Sequence, residues 1–295
     1  MLLGLARLAS ALPLSILHGL GAVLGRIVYL ASPRYRHYFR ANVRGAGYAD
    51  GALLSRAIAE AGKGLLELPV IWLRPHETVA GLVVQITGWD LVEAALARRR
   101  GIVFLTPHLG CFEITAQYYA YRAPANAPLT VLYRPPKKKA LEPLMLAGRD
   151  RPNLRVASTD LGDVRILLRA LRHGEAIGIL PDQAPGVGEG EWAEFFNRPA
   201  YTMTLAGRLA EASGAQVILA YAERLPQGRG YHLQLSAMPP PLAGESPARA
   251  LNRALEGLIR LCPAQYGWGY NRYKVPAGGL APGEKGGERR GEKHG

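Results

Sequence analysis

Four short, unbroken apolar runs constrain the fold of this chain most strongly: IVFLT at 102–106, LTVLY at 129–133, IGILP at 177–181 and VILAYAE at 217–223. A strand covered on both faces has no solvent side, so it reads as a continuous apolar run and not as an alternation. Helical patterns lie between the runs. That order predicts an α/β domain with a largely parallel central sheet flanked by helices. Residues 50–72 carry amphipathic-helix spacing, Val83 to Ile86 forms a further short strand, and TGWDLVEAALARRRG reads as a turn and helix ending at Gly101. No internal repeat is visible.

The N-terminus has a different character. From Leu8 to Gly25 the sequence LASALPLSILHGLGAVLG holds eighteen residues without a formal charge, between Arg7 and Arg26. As one helix it would be about 27 Å long, close to the hydrocarbon thickness of a bilayer. Pro13, Ser15 and His18 weaken the run, and Gly21 and Gly25 form a small-xxx-small pair suited to helix packing. Arg34, Arg36, Arg40 and Arg44 follow with no acid before Asp50, and Tyr29, Tyr35 and Tyr38 occupy the places of interfacial aromatics. The reading is a membrane anchor over 1–32, inserted or lying on the surface, with a buried soluble helix and a signal peptide as the alternatives. A domain over 33–275 and a disordered, Gly-, Pro- and charge-rich tail over 276–295 complete the expected division.

Charge narrows the partners. Lys and Arg number 36 against 23 Asp and Glu in 295 residues, a net charge of +13, which calls for an anionic partner without saying which. Cys111 and Cys262 are far apart, with no Cys-x-x-Cys pair and no HExxH, so neither a disulfide framework nor a structural metal is expected. A phosphate loop, a nucleophile elbow and a dinucleotide fingerprint are likewise missing from the sequence. The basic clusters 98–100 and 137–139 come without a stacking-aromatic module, and nucleic acid is not the expected partner.

Chemistry concentrates in TPHLGCFEITAQYY, which starts at Thr106 where a buried strand ends. In open α/β sheets, reactive groups gather at the carboxyl ends of strands. His108 falls in that loop and Glu113 in the first turn of the helix that follows. A carboxylate on one imidazole nitrogen fixes the tautomer and leaves the other as a base. The competing reading is a loop histidine that caps the helix. Cys111 reads as a small apolar residue under the turn rather than a nucleophile.

Here the chain resembles the bacterial lipid A biosynthesis acyltransferases, the late lauroyl and myristoyl transferases. Their H-x-x-x-x-D/E motif is met by His108 to Glu113. Further pieces follow in the family's order: YRP at 133–135, GR-x-R at 148–151, LPDQAPG at 180–186, FFNRPAYT at 195–202 and CPAQYGWGYNRYK at 262–274. The resemblance implies a glycerolipid-acyltransferase-like fold and a membrane-bound enzyme on the cytoplasmic side of the bacterial inner membrane. It implies an acyl chain carried as a thioester on acyl carrier protein and moved to a hydroxyl of a Kdo-bearing lipid A precursor. His108 would be the general base and Glu113 its orienting partner, with no metal or dissociable cofactor beyond the donor. A backbone N–H of the loop after His108, or a nearby Arg, would stabilise the oxyanion. Arg149 and Asp182 join the site by resemblance, as do Arg134, Gln183 and Arg198. The basic clusters would receive the acidic carrier.

The sequence departs from the family's usual pattern at Ala184, Pro185, Ala264 and Asn271. Those changes leave acceptor identity open. Another glycolipid or lysophospholipid, with acyl-CoA as donor, is the alternative reading, and a non-catalytic basic membrane or nucleic-acid binder is the remote one.

Overall fold

The structure, a computed structural model, describes residues 2–132, 142–157 and 161–283. The expected N-terminal helix is two helices, because Pro13 cannot continue the first: α1 spans Leu2–Ala11 and α2 Leu14–Ala31. Ser32 caps α3 (Pro33–Gly45) by accepting from Tyr35 N, with Pro33 in the first turn where its missing N–H costs nothing. Asp50 caps α4 (Gly51–Leu66) in the same way through Ala52 N. The helix expected over 50–72 breaks at Glu67 and resumes as α5 (Leu68–Leu73). A single turn, α6 (His76–Ala80), precedes the first strand.

The rest alternates strand and helix, in the order β1 (Val83–Thr87), α7 (Asp90–Ala97), β2 (Ile102–Leu105), α8 (Phe112–Arg122), β3 (Leu129–Leu132), α9 (Glu142–Ala147), β4 (Leu154–Ala157), α10 (Leu161–Arg172) and β5 (Ala176–Ile179). A hairpin follows, β6 (Gly190–Phe195) and β7 (Arg198–Met203), then α11 (Leu205–Ser213), β8 (Gln216–Arg224), β9 (Tyr231–Ala237) and α12 (Pro247–Leu261). Among the described residues, seven strands form one sheet in the order β1-β9-β8-β2-β5-β3-β4, and every neighbouring pair is parallel except β8 with β9. The α/β class and largely parallel sheet follow the apolar runs; β4, β9 and the β6–β7 hairpin were not read from them.

Alternate residues of β2 serve opposite faces, as a pleated strand requires. Val103 and Leu105 join a core with Leu167 of α10 and Leu255 of α12, while Ile102 and Phe104 join one with Ile71 of α5 and Ile114 of α8. The sheet is thus covered on both sides.

The small-xxx-small pair on α2 does pack against a helix. A methyl placed on Gly25 would strike the Ile58 carbonyl oxygen, and one on Gly21 the Lys63 backbone, so α2 lies directly on α4 at Gly62. Among the described residues α2 is the one helix long and apolar enough to cross a bilayer by length and composition. Of the expected interfacial aromatics, Tyr29 is instead buried, edge-on to Phe39 at 5.9 Å.

Candidate active site

β2 and β5 are parallel neighbours with Leu105 beside Ile179. His108 lies three residues beyond the first and Asp182 three beyond the second, so the two loops leave the sheet side by side at its carboxyl edge. His108 Nδ1–H donates to Asp182 Oδ1 at 2.8 Å, and the backbone N–H of His108 donates to Oδ2 at 3.0 Å. Asp182 is buried, whereas a quarter of the His108 side chain is exposed. The Phe112 ring lies against the imidazole at 4.8 Å between centroids. The Gln183 amide donates to Nε2 at 3.3 Å. These contacts fix one tautomer and leave the Nε2 lone pair at the surface of the site.

Burial alone would push the imidazole down and the carboxyl up. Their proximity wins for both: Asp182's charge and hydrogen bond raise His108 above the ordinary histidine value, with Glu113 adding, and His108 holds Asp182 below the ordinary carboxylate range.

Nδ1 is thus held by Asp182, whereas the resemblance implied Glu113 as the orienting partner. Glu113 stands in the first turn of α8, where its carboxylate accepts from Trp72 Nε1 at 3.0 Å and from Arg149 Nη2 at 3.3 Å. The chain turns at Gly110, in the left-handed region at φ +61°, before α8 begins. That turn sends Glu113 toward α5 and the end of α9, leaving Nδ1 to Asp182. His108, Glu113, Arg149, Asp182 and Gln183 are brought together. Arg134 and the cluster 137–139 lie outside the described residues. Arg198, on β7, places its guanidinium over the Tyr273 ring at 3.8 Å and is not brought to His108.

Sequence reading missed the groups that hold the loop in shape. Arg224, at the end of β8, donates from Nη2 to the Gly110 carbonyl at 2.6 Å and is itself gripped by Glu67 through contacts of 2.7–2.9 Å. Glu67 also accepts from Tyr231 Oη at 2.9 Å and His18 Nε2 at 3.2 Å. Leu109, Gly110 and Cys111 spend their N–H groups on the carbonyls of Pro107, Gln265 and Ala222. The oxyanion donor expected from a backbone N–H of this loop is therefore not one of those three. Cys111 is buried, and burial with Glu67 alongside pushes its thiol well up, so it is packing rather than a nucleophile.

Two cavities meet at Phe112 and Glu113 among the described residues. The larger, about 500 Å³, runs between the sheet and its flanking elements past Phe104, Leu129, Ile179 and Leu235, with Arg149 and Gln183 among its lining groups. The smaller, about 260 Å³, is lined by His108 and by Tyr35, Glu60, Gln265 and Tyr270 from α3, α4 and the segment after α12. The larger is a slot and the smaller a recess; the imidazole lines the recess, and Gln183, whose amide faces Nε2, lines the slot.

Residues 1–275 match the sequence profile of the family described as bacterial lipid A biosynthesis acyltransferase. The chain is 25% identical over 287 residues to a lipid A biosynthesis lauroyltransferase of Escherichia coli (strain K12), covering 94% of this chain and 92% of that protein. It is 27% identical over 220 residues to a lipid A biosynthesis palmitoleoyltransferase of the same strain, covering 72% and 69%. With a lipid A biosynthesis acyltransferase of Haemophilus influenzae it shares 24% over 185 residues, covering 62% and 57%.

Proposed function

Because the chain belongs to the bacterial lipid A biosynthesis acyltransferases, we propose that it moves a fatty acyl group from acyl carrier protein to a hydroxyl of a Kdo-bearing lipid A precursor. The observation that supports this reading is the His108–Asp182 pair, with the imidazole lining the recess and its Nε2 facing Gln183, which lines the slot. The slot takes the acyl chain and the recess takes the hydroxyl-bearing group.

An alcohol is a weak nucleophile at neutral pH. His108 Nε2 accepts its proton as the oxygen attacks the thioester carbonyl carbon. Asp182 stabilises the imidazolium that results. The tetrahedral intermediate collapses, the C–S bond breaks, and the imidazolium returns its proton to the departing sulfur, leaving ester and free thiol. Gln183, whose amide faces Nε2, and Arg149 supply donors for the oxyanion. Glu113 positions Arg149 instead of the imidazole. The donor's thioester provides the activation, so no further cofactor enters the scheme. Arg98, Arg99 and Arg100 are exposed after α7 and suit an acidic carrier. The membrane is the cytoplasmic face of the inner membrane.

The test is transfer from acyl carrier protein to the Kdo-bearing precursor by the purified chain. His108→Ala is expected to abolish ester formation while the chain still folds, with some loss of melting temperature because the buried Asp182 loses its partner. Near wild-type turnover in that variant refutes the mechanism, and transfer from acyl-CoA alone refutes the donor.

A further inference from the structure

The way α2 meets the rest of the molecule decides how such a chain sits on a membrane. Leu14, Leu17, His18, Gly21, Gly25 and Tyr29 are its buried residues. Ile16, Leu20, Val23, Ile27 and Leu30 are 48–69% exposed. At 100° per residue these five fall within about 40° of one line, directly opposite the buried set. The stripe is about 21 Å long at 1.5 Å per residue. α1 exposes Leu5 and Leu8 at helical spacing, and Leu12 follows it exposed.

The buried face is committed to protein. His18 pairs with Glu67, Gly21 lies on Lys63 and Gly25 on Ile58, so α2 and α4 run antiparallel and in contact along most of α2. α4 carries Arg56, Glu60 and Lys63 over that same length. A crossing α2 must therefore either carry those charges into hydrocarbon or leave α4. Leaving would uncover Gly21, Gly25 and Gly62 and strip a partner from the buried Glu67 carboxylate. Both routes are costly, and lying flat avoids them.

Resting on the proposed membrane function, we infer that α2 lies in the plane of the membrane interface, with its Ile16–Leu30 stripe in the acyl layer, and does not cross the bilayer. The occupant of the stripe is an anionic lipid surface. Arg7, Arg26, Arg34, Arg40 and Arg44 are exposed on α1–α3, and the sequence holds no acid before Asp50. An apolar stripe beside unopposed arginines is the pattern of an interfacial helix. The recess beside His108 is lined in part from α3 and α4, next to the elements that carry this surface.

Topology and lipid binding test this separately from catalysis. Alkaline phosphatase fused before Met1 of the full chain, active only after export, is expected to stay inactive; an active fusion overturns the in-plane placement. The full chain is expected to bind phosphatidylglycerol-containing vesicles more tightly than phosphatidylcholine vesicles, and equal binding overturns the role given to the arginines. Leu20→Glu with Ile27→Glu is expected to weaken vesicle binding roughly a hundredfold, since the exposed half of each of two apolar side chains loses its transfer. The melting temperature should not move, and turnover in detergent micelles should match wild type. Retained vesicle binding, or a fall in melting temperature that marks the stripe as covered by protein, overturns the inference. Wild-type chain inactive in those micelles refutes the proposed function and leaves the membrane results standing.

Discussion

Replacing Arg224 by Met tests whether the buried ion pair shapes the catalytic loop or only stabilises the domain. The guanidinium makes three contacts with Glu67, one with the Gly110 carbonyl, one with Gln265 Oε1 and a longer ion pair with Glu60 at 3.5 Å. Its removal leaves the Glu67 carboxylate, 1% exposed, with only Tyr231 and His18 among those partners. Breaking a buried pair from one side costs about 3–5 kcal/mol. That is a large part of a typical total of about 5–15 kcal/mol. At about 2–4 °C per kcal/mol for a chain of this size, the melting temperature should fall by about 6–20 °C.

The double variant Glu67→Gln, Arg224→Met removes both charges, and Gln can still bond Tyr231 and His18. Removing a pair together is close to neutral, so stability should return to within about 2 kcal/mol of wild type. The Gly110 carbonyl remains unheld in both variants, and kcat should stay at least tenfold down in both, with KM for the acyl donor little changed. Scanning calorimetry and steady-state kinetics read the two effects independently. If the double variant regains kcat together with stability, the pair is structural only and the argument fails. Acid adds a further check. Burial pushes the Glu67 carboxyl up, but Arg224 and His18 bring it down to about 2. A carboxyl lowered by folding stabilises above its unfolded value and loses that contribution as pH falls toward 2. The double variant should lack that acid limb.

Asp182→Asn should lower kcat steeply and move the acidic limb of the rate profile to lower pH, because Asp182 is what raises the His108 imidazole; an unmoved limb refutes the assignment. Gln183→Ala should cost about 10²–10³ in kcat if its amide serves the oxyanion, and a change confined to KM would count against that role. Gly178 on β5 lines the apolar slot, and a methyl there would already press on Val131. Gly178→Val should therefore shift donor preference to shorter chains by about 10–200-fold, read as competing kcat/KM values with donors of graded length.

Strands buried on both faces were legible because they leave unbroken apolar runs, as β2, β3, β5 and β8 do. The β6–β7 hairpin was hidden inside FFNRPAYT, which drew attention as a motif. Its two-residue turn puts Phe196 and Asn197 at φ +47° and +58°, and only Asn197 signals such a turn by residue type. The site was half legible. His108 and Asp182 are 74 residues apart in sequence, and only the pairing of β2 with β5 brings them together. The motif pointed to Glu113, and a turn before the helix was expected, but not its direction, which the left-handed Gly110 sets. Trp72, Glu67 and Arg224 left no local signal, since each does its work through a partner more than forty residues away.

The two chambers at Phe112 have a consequence for how enzymes of this shape diversify. The slot is built from the sheet and its flanking helices, the recess from α3, α4 and the segment after α12. Substitutions such as those at Gly178 touch one chamber, and those near Gln265 touch the other. With the slot holding the donor's acyl chain and the recess the acceptor, as proposed, selection can retune one without disturbing the other, while the imidazole at the recess stays as it is.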